Sequence, residues 1–222
     1  GPRISIRGLG EVDCFCSNNY LGLANHPDVV EAGIEGLRRF GAGTSSVRFI
    51  CGTFAPHEAL EERIASFLGV EASYTFVSCW NATEATFPTL CQDGDVIVSD
   101  ELNHACIIDS MRLTTAIHRG VSKVIYKHSD MESLREALVS ATEKRSDDGT
   151  IFVITDGVFS MEGDIARLPE IRSLCNEFGA ILVVDDSHGT GVMGETGRGT
   201  HEHYGMSGSD IDIFTGTLGK AL

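Results

Sequence analysis

At 222 residues, 42% apolar and 22% charged, the chain has the composition of a folded globular protein rather than a disordered one. Its formal net charge of −15, with 17 scattered Lys and Arg, excludes nucleic acid as a natural partner. No apolar run approaches a membrane span, and the opening GPRISIRGLG lacks the apolar core of a signal peptide. Seven cysteines, odd in number and without a C-x-x-C pair, point to a reducing compartment, the cytoplasm or the mitochondrial matrix. In chain order, DCFCSN (13–18) reads as a strand and NYLGL as a turn. A helix comes next from Pro27, with Val30, Ile34 and Leu37 on one face and Gly41 beyond its end. After the Gly/Ser-rich GAGTSSVRFICGT comes a second helix over 56–69, with Leu60, Ile64 and Leu68 at helical spacing. From there short β-rich runs are predicted as strands: YTFV (74–77), DVIVS (95–99), KVIY (123–126), TIFVITD (150–156), AILVVDD (180–186) and DIFTGT (212–217). Amphipathic segments such as MESLREALVSATEK and LPEIRSLCNEFG separate most of them, which is the pattern of an α/β fold with a mostly parallel sheet.

In such folds ligands bind beyond the carboxyl ends of the strands. Most of these runs lead into polar residues: Ser78, Cys79 and Trp80; Asn103 and His104; Phe159 and Ser160; Asp185 to His188; and finally Lys220. Singly, each has a structural explanation as a cap or a turn residue; together they form a constellation. Lys220 is not a phosphate-loop lysine, since G-x-x-x-x-G-K-[ST] requires glycine where Phe214 stands and Ser or Thr where Ala221 stands. GETGRG (194–199) comes after no strand closely, and HEH (201–203) has no third ligand nearby, so a dinucleotide fingerprint and a metal site are both set aside. A lysine that forms a Schiff base with pyridoxal phosphate (PLP) accounts for more. That cofactor needs a carboxylate at its pyridine nitrogen, donors at its 3′-oxygen, a stacking ring, and backbone N–H groups at its phosphate. Asp185, His188 with Ser160, His104, and Cys79 with Trp80 fill those needs in that order.

The stretches SNNYLGLANHP (17–27), SSVRFICGT (45–53), ELNHACIIDSMR (101–112), TDGVFSMEGDIA (155–166), DDSHGTGVMGETGRGT (185–200) and TGTLGKAL (215–222) resemble the α-oxoamine synthases, fold-type I PLP enzymes. The resemblance covers nearly the whole chain. It implies a large domain over 41–222 with a seven-stranded type of sheet and helices on both faces, preceded by a leading segment, 1–40. It also implies that the chain is a fragment or truncation, poorly active alone, since a C-terminal small domain would come after Leu222. Lys220 would carry the Schiff base and take the substrate's α-proton, Asp185 would bind the pyridine nitrogen, and His188 and Ser160 the 3′-oxygen. His104 would stack on the ring, Thr217 and the Cys79 and Trp80 amides would hold phosphate, and Asn18 would face the substrate carboxylate. Arg48 is left between a role in the active site or dimer contact and a structural one. SVRFICGT and SDELNHACIID look most like the branch that joins glycine to acetyl coenzyme A as a homodimer, or cleaves the product. Other amino acids or acyl thioesters, and a non-catalytic subunit, are the alternatives. CWNATEATF (79–87) departs from the family's small-residue run and puts substrate preference in doubt.

Overall fold

The structure, a computed structural model, describes residues 3–222, which fall into two compact units: residues up to Leu60 with Leu218–Leu222, and Glu61–Thr217. In the first, strands β1 (Arg3–Ile6) and β2 (Gly10–Asp13) form an antiparallel ribbon that pairs Arg3 with Asp13. The strand expected over 13–18 therefore ends where it was expected to begin, because no further strand among the described residues continues the ladder past Asp13. Helix α1 (Pro27–Phe40) starts as the sequence predicts: His26 Nδ1 accepts from the Asp28 N–H at 3.3 Å, proline occupies the first turn, and Gly41 ends it at φ 81°. Helix α2 (Ala55–Leu68) matches the second predicted helix and runs into the second unit.

The second unit is built on five parallel strands: β3 (Val96–Asp100), β4 (Ser122–Tyr126), β5 (Ile151–Asp156), β6 (Ile181–Asp185) and β7 (Ile213–Thr215), in the order β4-β3-β5-β6-β7. This parallel sheet has five strands among the described residues rather than seven, and YTFV is not among them. The Thr75 N–H and hydroxyl both donate to Glu61 Oε1 at 2.7 Å, and the Ser73 hydroxyl to the Glu61 carbonyl at 2.6 Å, so this segment is bound to α2 instead of a sheet edge. Side chains alternate across the sheet. Val96, Val98, Ile151, Val153, Leu182 and Val184 face helices α5 (Met131–Lys144) and α6 (Leu168–Phe178). Ile97, Phe152, Ile154 and Val183 face α3 (Cys79–Leu90) and α4 (Ala105–Ile117). Both faces are thus covered, which is why the strands read as unbroken apolar runs.

The α3–α4 pair repairs its own defect. Pro88 lies inside α3, and its missing N–H cannot reach the Glu84 carbonyl one turn back. Ser110 of α4 supplies a hydroxyl there, 2.8 Å from the Thr83 carbonyl and 3.4 Å from that of Glu84.

Leu182 is fully buried in the larger of the two cores, while Leu90, at the end of α3, is half exposed. Leu182→Ala should cost about 2–5 kcal/mol in urea unfolding, and Leu90→Ala within about 0.5 kcal/mol. Equal losses would contradict the two-faced packing.

Candidate active site

Strands β3, β5 and β6 each end in an aspartate, Asp100, Asp156 and Asp185, and all three are buried. A buried carboxylate must be hydrogen-bonded, so the loops beyond these strands are shaped around the three groups. Asp100 accepts from the Leu102 N–H at 3.0 Å and the Ser129 N–H at 3.1 Å. Asp156 accepts from the His104 N–H at 3.0 Å. Asn103 stitches the same two strand ends: its Nδ2 donates to the Ile154 carbonyl and to Ser99 Oγ at 2.9 Å, while its Oδ1 accepts from the Asp156 N–H at 2.8 Å. His104 is therefore delivered by β5 as much as by β3.

His104 also caps α4. Its Nδ1 lies 3.2 Å from the Cys106 N–H and 2.9 Å from Cys106 Sγ. Burial, then the neighbouring Asp185, pushes the Cys106 thiol up to about 12, so sulfur stays protonated and acts as a donor. With Nδ1 held as an acceptor, the imidazole proton sits on Nε2. The ring meets Trp80 edge-on, with centroids 6.0 Å apart.

Asp185 differs from its two neighbours. One oxygen accepts from the Ser187 N–H at 3.1 Å, but Oδ2 has longer contacts, to the Thr83 hydroxyl at 3.4 Å and the Cys79 thiol at 3.8 Å, both of α3. It is a buried acceptor with room for a stronger donor. Beside it begins α3, capped by Ser78, whose hydroxyl accepts from the Asn81 N–H at 3.2 Å. The first helical bond is from the Ala82 N–H to the Ser78 carbonyl, so the amides of Cys79 and Trp80 precede the ladder, at an end where anions are favoured.

The next residue, Asp186, is spent on structure. Its carboxylate accepts from the Thr200 hydroxyl at 2.5 Å, the Thr200 N–H at 3.0 Å and the Thr190 hydroxyl at 3.1 Å, which closes the 189–199 loop onto α7 (Thr200–His203). A Cβ at Gly157 or Gly199 would run into this carboxylate, and Gly199 also sits at φ 121°.

Of the residues singled out in the sequence, Cys79, Trp80, His104 and Asp185 come together at this edge. His188 is half-buried in the turn after Ser187, Thr217 is half-buried two residues past β7, and Ser160 is exposed at the tip of a hairpin after β5. Asn18, Arg48 and Lys220 belong to the other compact unit. There Asn18 Oδ1 accepts from the Tyr20 hydroxyl at 3.2 Å, Arg48 Nε donates to Thr53 Oγ1 at 3.0 Å, and Lys220 is half-buried in a bend. Sequence reasoning gave no role to Thr83 and none to Asn103 as a stitch between strands; only a fold that sets α3 beside β6 and β3 beside β5 exposes them.

The chain that carries this buried aspartate, helix N-terminus and histidine ring is similar to proteins of known kind. Residues 13–222 match the family "Aminotransferase class I and II". The chain belongs to that family. It is 49% identical to 8-amino-7-oxononanoate synthase of Thermoanaerobacter pseudethanolicus over 222 residues, all of this chain and 54% of that protein. It is 47% identical to the mitochondrial 2-amino-3-ketobutyrate coenzyme A ligase of Bos taurus, again over all of this chain and 51% of the relative. Both are α-oxoamine synthases, as the sequence resemblance implies. The serine palmitoyltransferase of Sphingomonas wittichii superposes with a TM-score of 0.89 at 33% identity, over 99% of this chain and 52% of that one. The serine palmitoyltransferase of S. paucimobilis, solved with a PLP–myriocin aldimine, superposes equally well. The chain spans about half the length of the curated relatives it matches. No helix among the described residues is long and apolar enough to cross a membrane.

The family is PLP-dependent, and the residues at this edge fit that group. Asp185 Oδ2 offers a buried acceptor for a pyridine N–H, and the start of α3 offers amides to a phosphate.

Asp186 yields a pH test. Burial, only partly offset by its bonds to Thr200 and Thr190, pushes its carboxyl from 3.8 up to about 6. Between those values the folded state holds more protons than the unfolded one, so stability falls as pH rises through the window, by about 3 kcal/mol in all. Asp186→Asn should remove that slope from the unfolding free energy between about pH 4 and pH 6. A wild-type and variant pair whose stabilities keep a constant offset would refute it.

Proposed function

We propose that the chain is the PLP-binding large domain of an acyltransferase that condenses glycine with acetyl coenzyme A, or cleaves the product with coenzyme A. In this reading residues 41–222 form that domain, 1–40 lead into it, and the whole protein works as a homodimer. The supporting observation is Asp185, a buried carboxylate at the end of β6 whose Oδ2 has only long contacts to Thr83 and Cys79. Bound PLP supplies an electron sink for negative charge at the amino acid's α-carbon. Asp185 holds the pyridine nitrogen protonated, which keeps that sink effective. The Cys79 and Trp80 amides and Thr217 carry the phosphate, His104 covers the ring, and Ser160 and His188 donate to the 3′-oxygen. Lys220 anchors the cofactor through its amine and takes the α-proton; Asn18 orients the substrate carboxylate. Seven free thiols suit a reducing compartment, the cytoplasm or the mitochondrial matrix.

Glycine and acetyl coenzyme A are favoured by the SVRFICGT and SDELNHACIID stretches and by the 2-amino-3-ketobutyrate ligases among the relatives. A second reading, a longer acyl group on another amino acid, is favoured by the equally similar 8-amino-7-oxononanoate synthases, whose named product has a nine-carbon chain. Assay of the holoenzyme with glycine, serine and alanine against acetyl and long-chain thioesters decides between them. Turnover with glycine and acetyl coenzyme A should exceed every other pair by at least about tenfold, a modest discrimination for pocket fit; a long-chain winner would replace the first reading.

Asp185→Asn should lower kcat at least about a hundredfold, the scale of losing one electrostatic contact to developing charge, while leaving the unfolding midpoint nearly in place. Borohydride reduction with subsequent peptide mapping should put the cofactor on Lys220. Labelling of another lysine, or turnover untouched by Asp185→Asn, would sink the assignment.

A further inference from the structure

His128, at the start of the turn between β4 and α5, has both ring nitrogens engaged by carboxylates. Its Nδ1 lies 3.0 Å from Asp100 Oδ1, at the end of β3, and its Nε2 lies 3.1 Å from Asp164 Oδ2. Asp164 stands on the return arm of the hairpin beyond β5. That hairpin is closed by the Val158–Ile165 bridge, by the Phe159 N–H donating to the Asp164 carbonyl at 2.9 Å, and by the Gly163 N–H donating to the Phe159 carbonyl at 2.8 Å. Phe159 is buried, and its ring meets the His128 ring edge-to-face with centroids 4.4 Å apart, while Ser160 and Met161 at the tip face solvent. The turn bearing His128 is itself held under strain. Ser129 sits at φ 53° with its N–H on Asp100 Oδ2, and the His128 N–H donates to Glu101 Oε1 at 2.9 Å.

We infer that His128 is a positioning residue: by gripping Asp164 and packing edge-to-face against Phe159 it fixes the hairpin, and with it Ser160, at the carboxyl edge of the sheet. The inference rests on the proposed role of Ser160 at the cofactor. The hairpin has two anchors, the Phe159 ring and the Asp164 carboxylate, and both meet the same imidazole. With both nitrogens on carboxylates the ring is held as the imidazolium, since the neutral form has one N–H and could serve only one of them. The charged groups around it are Asp100 at the end of β3, Glu101 just after it, Asp164 on the hairpin, and Lys127 and Asp130 beside it in the chain. Burial alone would lower the His128 pKa, but the bonds to Asp100 and Asp164 outweigh it and the pKa is raised. The grip is therefore complete below the ordinary value of 6.5 and is lost as pH rises through the raised value.

The test is hydrogen exchange across residues 157–166 in the full-length PLP-loaded enzyme, with cofactor affinity and absorbance as second readouts. Asn places its amide near the imidazole Nδ1 and Gln near Nε2. His128→Asn should thus keep Asp100, release Asp164 and quicken hairpin exchange at least about tenfold, the scale of one lost charge-assisted bond, whereas His128→Gln should restore much of the protection. Wild-type hairpin exchange, corrected for intrinsic chemistry, should rise with pH as His128 titrates, and Asp164→Asn should abolish that rise. No change in the hairpin, or equal quickening in β5, overturns the inference. Weaker cofactor binding in both His128→Asn and Ser160→Ala supports it in full. If Ser160→Ala leaves cofactor binding intact while His128→Asn still frees the hairpin, the Ser160 reading falls and the grip of His128 on the hairpin stands.

Discussion

The structure turns on three buried carboxylates at the ends of adjacent parallel strands. Asp100, Asp156 and Asp185 are each less than a tenth exposed, and buried carboxyl oxygens need donors that replace water. The donors come from loops, so the demand of each carboxylate becomes a constraint on the chain nearby. Asp100 draws in the turn after β4, and Asp156 fixes the backbone that carries His104. Because strand register sets Asp156 beside Asp185, the groups so held are gathered at one edge of the sheet.

The constraints act across strands rather than along them. His104 comes after β3 but is held by Asp156 of β5; His128 comes after β4 but is held by Asp100 of β3 and by the hairpin beyond β5. Each loop is tied to a strand other than the one that leads into it, so a change in one loop propagates to its neighbour's anchor. Asp186, in contrast, acts within the connection that follows its own strand, closing the 189–199 loop, and its raised carboxyl shows how costly such a buried group is even with three donors. Asp185 has longer contacts at Oδ2, which is what a carboxylate reserved for a cofactor's N–H would be expected to show.

How much the sequence disclosed depends on the physics of local pattern. Buried parallel strands announce themselves as apolar runs, so β3 to β7 were legible, as were α1 and α2 from their spacing and caps. YTFV shows the limit: the letters carry β propensity, but a strand exists only where a partner edge does, and here Glu61 takes the Thr75 N–H. At the site, residues that end strands were readable because position along a strand is a local property. Thr83, Asn103 and His128 were not, because their meaning lies in contacts to residues 102, 53 and 36 positions away.

The same distinction separates reaction class from substrate. The chain is 49% identical to a protein named for an oxononanoate product and 47% identical to one named for a ketobutyrate, and it superposes on a serine palmitoyltransferase at a TM-score of 0.89. Proteins named for different substrates and products therefore share this fold. Under the proposed function, Asp185 and the start of α3 answer to needs of the cofactor rather than of the substrate: a buried acceptor and a helix N-terminus. Groups that face the cofactor can be held constant by those needs while acyl length and amino acid are read by other surfaces. Trp80 stands at the start of α3, and its indole is 41% exposed and edge-on to His104. On the proposed reading the Trp80 amide serves the cofactor phosphate while its side chain does not, so a change of indole would alter substrate preference without disturbing the cofactor.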